Sequence, residues 1–357
     1  MWLYIVISIF LIISAFLEVF IIKKRCILLF YFISFFLFCL SFLRWGVGTD
    51  WETYYWIYQH LELFDYMEAG FLTINDIAKN IFGSYTIALF LQGALIFSFQ
   101  TAAIKQLSPY PLTTLMLLWG SGFGGIFFVR QSISVAILLF SIVMIRDKRL
   151  LAFLTLVFFA TFFHRAALAF LPAYWIYHLR FSTRRAMLAI ACGILVGTFM
   201  EFAGNFSTIG SLLGGMYETK LEGYISKGAD LNTNSGQTAA QLHIRSMSGR
   251  IFLLFIFILF MQKKYKRTIG NGMLNLFSFA IMLLPILNGI VNVLSRLLTP
   301  YMHCQSLLLT IVIFSLQSSN RKFCCFVLFI AIMIIQLYLR LFVDYEGKAY
   351  LPFNTIL

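Results

Sequence analysis

From its second residue onward the chain returns again and again to unbroken apolar runs of roughly 18 residues or more, the length a helix needs to cross hydrocarbon. Water cannot satisfy backbone N–H and C=O groups inside a bilayer, so such runs must close their hydrogen bonds within helices. The composition agrees: 61% of residues are hydrophobic and 11% are charged, where a soluble domain has about 45–50% and about 25%. The chain is expected to be all-α and polytopic, a single transmembrane domain over 1–357, with no soluble domain appended. Twelve segments are read, near 1–22, 26–43, 85–104, 109–125, 127–145, 150–163, 166–178, 185–201, 250–262, 271–290, 298–317 and 323–342. The N-terminus has neither a basic n-region nor a small-residue cleavage site, so the first helix is expected to stay.

Charge sets the topology. If the Lys23-Lys24-Arg25 loop is cytoplasmic and the segments alternate, Lys105, Arg146 to Arg149, the Arg180/Arg184/Arg185 cluster, Lys263 to Arg267 and Arg321-Lys322 are cytoplasmic too. That collects 16 of the 27 basic residues in short inner loops. Only Glu18 and Asp147 of the 14 acids fall on that side. A single span over 150–178 would move the Arg180 cluster outside, so two half-length helices meeting at His164 are expected, with both termini outside. The net charge of +13 is then a topology signal, and nucleic acid is not expected as a partner. Two long outer loops remain, 44–84 and 202–249. The six cysteines sit in or beside apolar runs without CxxC spacing and are expected to be free, buried thiols.

This alternation puts Arg44, Asp50, Arg130, His164, Arg165 and Arg296 at the outer ends of spans. Charges at membrane depth cost about 2.5–3.5 kcal/mol each on insertion scales and usually face a polar cavity. Arginine is permanently charged and grips phosphate oxygens with a fork of donors. The candidate diphosphate ligands are therefore Arg130, Arg296, Arg44 and Arg165, and the implied ligand is a lipid-linked pyrophosphate. The plain alternatives are snorkelling for Arg165 and Arg296, a satisfied core histidine for His164, and helix capping for Asp50. Gly46 and Gly48 permit a tight turn before Asp50. Trp45, Trp51, Tyr54 and Tyr55 fit an interfacial belt, and some could stack on sugars. No His or acid spacing suggests a metal.

The exit Arg44-Trp-Gly-Val-Gly-Thr-Asp50 with Tyr54 and Tyr55 resembles a known family. So do Glu68-Ala-Gly-Phe71, the Arg130-Gln131 pair, Phe163-His164-Arg165-Ala166 and Ser295-Arg296. Together they are similar to the EpsG branch of Wzy-type bacterial polysaccharide polymerases, over roughly 40 to 310. The resemblance implies a GT-C glycosyltransferase architecture in the bacterial inner membrane. It implies polymerisation of undecaprenyl-diphosphate-linked oligosaccharide units, donor and acceptor both lipid-linked, on the outer face. No cofactor is expected, and a chain-length regulator is an open question. His164 is the first candidate for the base that activates the acceptor hydroxyl, because an unperturbed imidazole titrates near neutral pH. Asp50 is the second candidate, as base or as the group orienting His164. Trp51, Tyr54, Tyr55, Gln131 and Glu68 are the candidates for sugar contact. A flippase for lipid-linked sugars or a glycan ligase are the competing readings.

Overall fold

The structure is a computed structural model and describes residues 1–128, 130–179, 187–188, 190–197, 248–254, 256–257, 269–290, 292–343 and 348–356. Outside them lie the expected outer loop 202–249, apart from its last two residues, and the basic clusters at 180–185 and 263–267. The chain divides into two compact units, Met1–Tyr174 with Ser306–Leu357, and Trp175–Gln305.

In the first unit, α1 (Trp2–Phe16) runs on as a π-helical stretch to Ile22, and α2 covers Ile27–Leu43. The short helices α3 (Trp51–Gln59) and α4 (Ala69–Asp76) follow. Then come α5 (Tyr85–Leu107), α6 (Pro111–Gly122), α7 (Arg130–Arg146) and α8 (Leu150–Thr161). The helix α9 is Ala173–His178. The second unit holds α10 (Ile269–Ile290), a 3₁₀ stretch Asn292–Leu298 and α11 (Thr299–Met302). α12 is Cys304–Ser315 and α13 is Ser319–Tyr338. Asn275 of α10 donates to the carbonyl of Leu179 at 2.6 Å and to that of Ile176 at 3.2 Å, satisfying acceptors left open where α9 ends.

Among the described residues, five stretches are long and apolar enough to cross a membrane: Trp2–Ile22, Tyr85–Leu107, Gly270–Leu287, Leu294–Ser315 and Ser319–Val343. Ile27–Leu43 and Leu150–Thr161 are apolar but shorter. The protein is a polytopic α-helical membrane protein. Among the described residues the expected twelve spans are not matched by twelve helices of crossing length, and parts of the expected segments 185–201 and 250–262 lie outside those residues. At a rise of 1.5 Å per residue the 12 residues of α8 extend only about 18 Å. The break expected at His164 is present. α8 ends at Thr161, His164 is extended (φ −160°, ψ 118°), and Arg165–Phe170 continues as 3₁₀ helix. The second half is not an α-span, because Pro172 cannot supply the N–H that would close onto the Leu168 carbonyl. Among the described residues all six cysteines are free, but only Cys304 and Cys325 are buried; the others do not meet the expectation of burial.

The loops of the first unit sort to two ends. At one end the Arg25 guanidinium donates to the Lys105 carbonyl, and Arg146 donates to the Gln106 carbonyl at 2.9 Å. At the other, Arg44 reaches the Phe128 carbonyl at 3.2 Å, and the Gly70 N–H reaches the Phe162 carbonyl at 2.8 Å. The loops carrying Arg25, Lys105 and Arg146 thus share one end, and the exits of α2 and α8 share the other with the start of α7.

Candidate active site

The site is built where the N-terminus of α4 docks on the turn after α8. A helix leaves its first N–H groups without intrahelical partners, and the Gly70 N–H at the start of α4 is satisfied by the Phe162 carbonyl. This approach excludes any side chain at position 70: a Cβ there would sit 2.8 Å from the same oxygen. Docking carries Glu68, two residues earlier, onto the 3₁₀ turn. Its Oε1 accepts the Arg165 N–H at 3.2 Å and lies 3.3 Å from His164 Nδ1. Its Oε2 lies 2.7 Å from Arg130 Nη1 at the first residue of α7. One carboxylate therefore caps the turn and joins an arginine and a histidine that are distant in sequence.

The Glu68 side chain is 9% exposed, whereas those of Arg130 and His164 are 24% and 23% exposed. Burial pushes the Glu68 carboxyl up, but the His164 hydrogen bond, the Arg130 charge and the Arg165 N–H together outweigh it and hold it at about 2. The anion is the stable form, and it lies within ion-pair distance of both neighbours while accepting the Arg165 N–H. Nδ1 is the ring nitrogen turned to the carboxylate, which leaves Nε2 as the nitrogen available for proton transfer. Arg130 Nε has no hydrogen-bond partner among the described residues, and its guanidinium carbon lies 5.9 Å from the Phe71 ring centre. The Arg130 N–H donates to the Tyr54 hydroxyl at 3.3 Å, tying α3 to the start of α7.

A small pocket adjoins this cluster through Tyr54. Arg44, Gly48, Thr49, Asp50, Trp51, Tyr54, Tyr85, Leu89, Gln92, Phe127 and Phe128 line it. Arg44, expected as a diphosphate ligand, is only 4% exposed. It donates to the carbonyls of Ser41 (3.1 Å), Val47 (3.2 Å) and Phe128 (3.2 Å). Three of its donors hold backbone, which makes it a clamp on the loop. Gly46 and Gly48 take positive φ (65° and 127°), as the tight turn requires, and a Cβ at Gly48 would lie 2.8 Å from Arg44 Nη1.

Several expectations change. The carboxylate at His164 is that of Glu68, not Asp50. Asp50 is exposed at the start of α3, makes no side-chain capping bond and lines the Arg44 pocket. Glu68, expected to touch sugar, is instead enclosed by Arg130, His164 and the Arg165 N–H. Trp51 is buried, stacked on Tyr55 at 5.1 Å and edge-on to Trp45 at 4.9 Å, so its ring packs in an aromatic cluster. Tyr54 and Tyr55 are half-buried. Gln131 is half-buried next to Arg130, while the Arg165 side chain is exposed. Arg296 lies in the 3₁₀ stretch Asn292–Leu298 of the other unit. Among the described residues no group of His, Cys, Asp and Glu is arranged to hold a metal ion. Local pattern offers no sign of Phe127 and Phe128 at the pocket, nor of the segment 348–356 beside it; Gly70 next to Glu68 is the one available sign of a close approach.

The EpsG family model matches residues 27–355, which include every residue of this cluster. The chain belongs to the EpsG family. No curated protein and no solved structure matches the chain. As an EpsG-family member it is a membrane protein of polysaccharide biosynthesis, and the Glu68–Arg130–His164 cluster is its strongest candidate for chemistry.

Proposed function

We propose that this EpsG-family protein is a polymerase that joins lipid-diphosphate-linked oligosaccharide units. The observation that carries the reading is the Glu68 carboxylate holding Arg130 and His164 together at one end of the bundle. The opposite end collects the basic loops. By the positive-inside rule that end faces the cytoplasm, so the site faces the periplasm or exterior of a bacterial inner membrane. The proposed architecture is GT-C-like, with about twelve membrane segments, the shorter helices counting as partial crossings.

In the proposed reaction, an acceptor-sugar hydroxyl oxygen attacks the anomeric carbon of the growing chain. The bond from that carbon to the diphosphate oxygen breaks, and the lipid diphosphate leaves with the electron pair. His164 Nε2 takes the hydroxyl proton, with Glu68 orienting the ring and stabilising the imidazolium that forms. Arg130, at the positive end of α7, stabilises charge developing on the leaving diphosphate, with exposed Arg165 as a further ligand. Arginine supplies the electrophile in place of a metal ion. Tyr54, Tyr55, Gln131 and Asp50 border the path of the acceptor sugar, with Trp51 packed behind Tyr55. A chain-length regulator is the natural protein partner of such an enzyme.

The test is product analysis on purified protein supplied with lipid-linked repeat units. A ladder of repeat lengths is expected. A single capped acceptor identifies a ligase instead, and movement of units across vesicles without a new bond identifies a flippase. The base assignment fails if His164→Ala polymerises at the wild-type rate.

A further inference from the structure

The segment 348–356 is bonded to the loop that lies behind the residues proposed to meet substrate. The Trp45 N–H donates to the Asn354 carbonyl at 2.9 Å, and the Ile356 N–H donates to the Leu43 carbonyl at 2.9 Å. Arg44 and Thr355 face each other as an antiparallel pair. The Gly48 N–H donates to the Ala349 carbonyl at 2.8 Å, and the Tyr4 hydroxyl donates to the Tyr350 carbonyl at 2.6 Å. The Tyr350 ring lies 4.8 Å from that of Phe127 and 4.7 Å from that of Phe123, while Phe353 sits edge-on to Tyr4 at 6.1 Å.

Most of these bonds are made to backbone groups of an irregular stretch. Residues 44–48 follow the end of α2 outside any helix, and two glycines there lack conformational order of their own, which must come from neighbours. The segment pairs with that loop along one side, and Arg44 grips it along the other, binding Val47 and Phe128 together. Phe128 is two residues before Arg130. Phe127, packed on Tyr350, also lies 5.5 Å beneath the Arg44 guanidinium.

We infer that residues 348–356 are a positioning element of the site, fixing loop 44–48 so that Arg44 can set the Phe128 carbonyl and, with it, the start of α7 at Arg130. The segment acts as a fixed wall. The inference rests on the polymerase reading only for its activity measurement.

The test pairs two readouts on a chain ended at Gly347, in a background carrying Val47→Cys. Val47 is 2% exposed. In the full-length chain the thiol introduced at position 47 is expected to resist maleimide, with modification there read by peptide mass spectrometry. In the shortened chain it is expected to react at least about tenfold faster. Polymerisation is expected to fall by about a hundredfold, the scale of a 1 Å misplacement of catalytic groups, while the amount of protein in the membrane stays the same. If the shortened chain fails to accumulate, Ile356→Pro in the full-length chain replaces it, since that change removes the N–H given to Leu43 and leaves the rest of the segment in place. The expected result is then the same in direction, by about tenfold in activity, the scale of about 1.4 kcal/mol from one lost hydrogen bond. Wild-type polymerisation in the altered chain, or a thiol at position 47 that stays protected, overturns the inference. A full-length protein that makes no ladder sinks the polymerase reading alone, because the labelling still decides whether the segment holds the loop.

Discussion

Two carboxylates are buried at opposite ends of the larger unit, and they keep different company. Glu18, at the basic end, is fully buried and accepts the Thr113 N–H at 3.0 Å, the Thr113 hydroxyl at 3.2 Å and the Cys26 N–H at 3.5 Å. All are neutral donors, and Glu18 has no ion pair among the described residues. It caps the N-terminus of α6, where Pro111 starts the helix, and that accounts for it. Glu68 also caps a turn, through the Arg165 N–H, but adds a guanidinium and an imidazole that face partly open space. A carboxylate that only ends a helix needs no titratable neighbours. One that holds a cation and a base half-exposed has a role beyond ending a turn.

The contrast is tested most severely by Glu68→Ala. Polymerisation is expected to fall by about 10²–10⁴-fold, the range that general-base catalysis contributes. The same change leaves Arg130 without its partner, and losing one member of a buried pair costs about 3–5 kcal/mol, discounted here because Arg130 is partly exposed. Glu68→Gln keeps the shape and separates the two effects: stability is expected to recover further than activity. Arg130→Lys keeps the charge and loses the fork, and a rate loss of about 10–100-fold is expected in the same ladder assay, equivalent to one or two charge-assisted hydrogen bonds.

Glu18→Ala is expected to do the reverse. Thermal unfolding in detergent should show about 1–3 kcal/mol lost from unsatisfied donors at α6, with polymerisation per folded molecule unchanged. An activity loss on the scale of Glu68→Ala would erase the distinction between the two ends. Gly70→Ala should cost about 1–3 kcal/mol, because its Cβ meets the Phe162 carbonyl. It should also reduce activity, since α4 must then lift Glu68 away from the turn.

The smallest effect concerns pH. The Glu68 carboxyl is held at about 2, below its unfolded value near 4.5. A depressed carboxyl gives stability that is complete above the unfolded value and is lost as pH falls from there through about 2. Between pH 7 and pH 5 the Glu68 contribution should therefore be flat in thermal unfolding. The check compares Glu68 with Glu68→Gln in a His164→Ala background, which removes the imidazole's own titration beside the carboxylate; a difference that changes within that interval would show that Glu68 is not held ionised.

The positions of these groups are only partly legible in the amino-acid order. Arg130, His164 and Glu68 can each be singled out, the first two as charges at span ends and the third within Glu68-Ala-Gly-Phe71. Reading along the chain nominates Asp50, six residues beyond Arg44 and on the same loop, as the carboxylate at His164. Glu68 takes that place because α4 docks through Gly70, a contact made across 97 residues of chain between Glu68 and Arg165. Nothing in local spacing encodes which of two nearby acids a docked helix will deliver. Arg44 reads as a phosphate ligand for the same reason: charge is visible in a sequence, but the three carbonyls that occupy it are not.

Helical, membrane-spanning character, the gathering of Arg25, Lys105 and Arg146 at one end and the break at His164 all follow from the order of the amino acids. Each rests on residue-by-residue quantities: apolar run length, charge count, and the backbone limits of proline and glycine. Packing was needed to show which carboxylate meets which cation, which arginine is a clamp, and that residues 348–356 brace a loop next to α2. Those outcomes depend on close approach between segments far apart in the chain, where a difference of an ångström separates an ion pair from none.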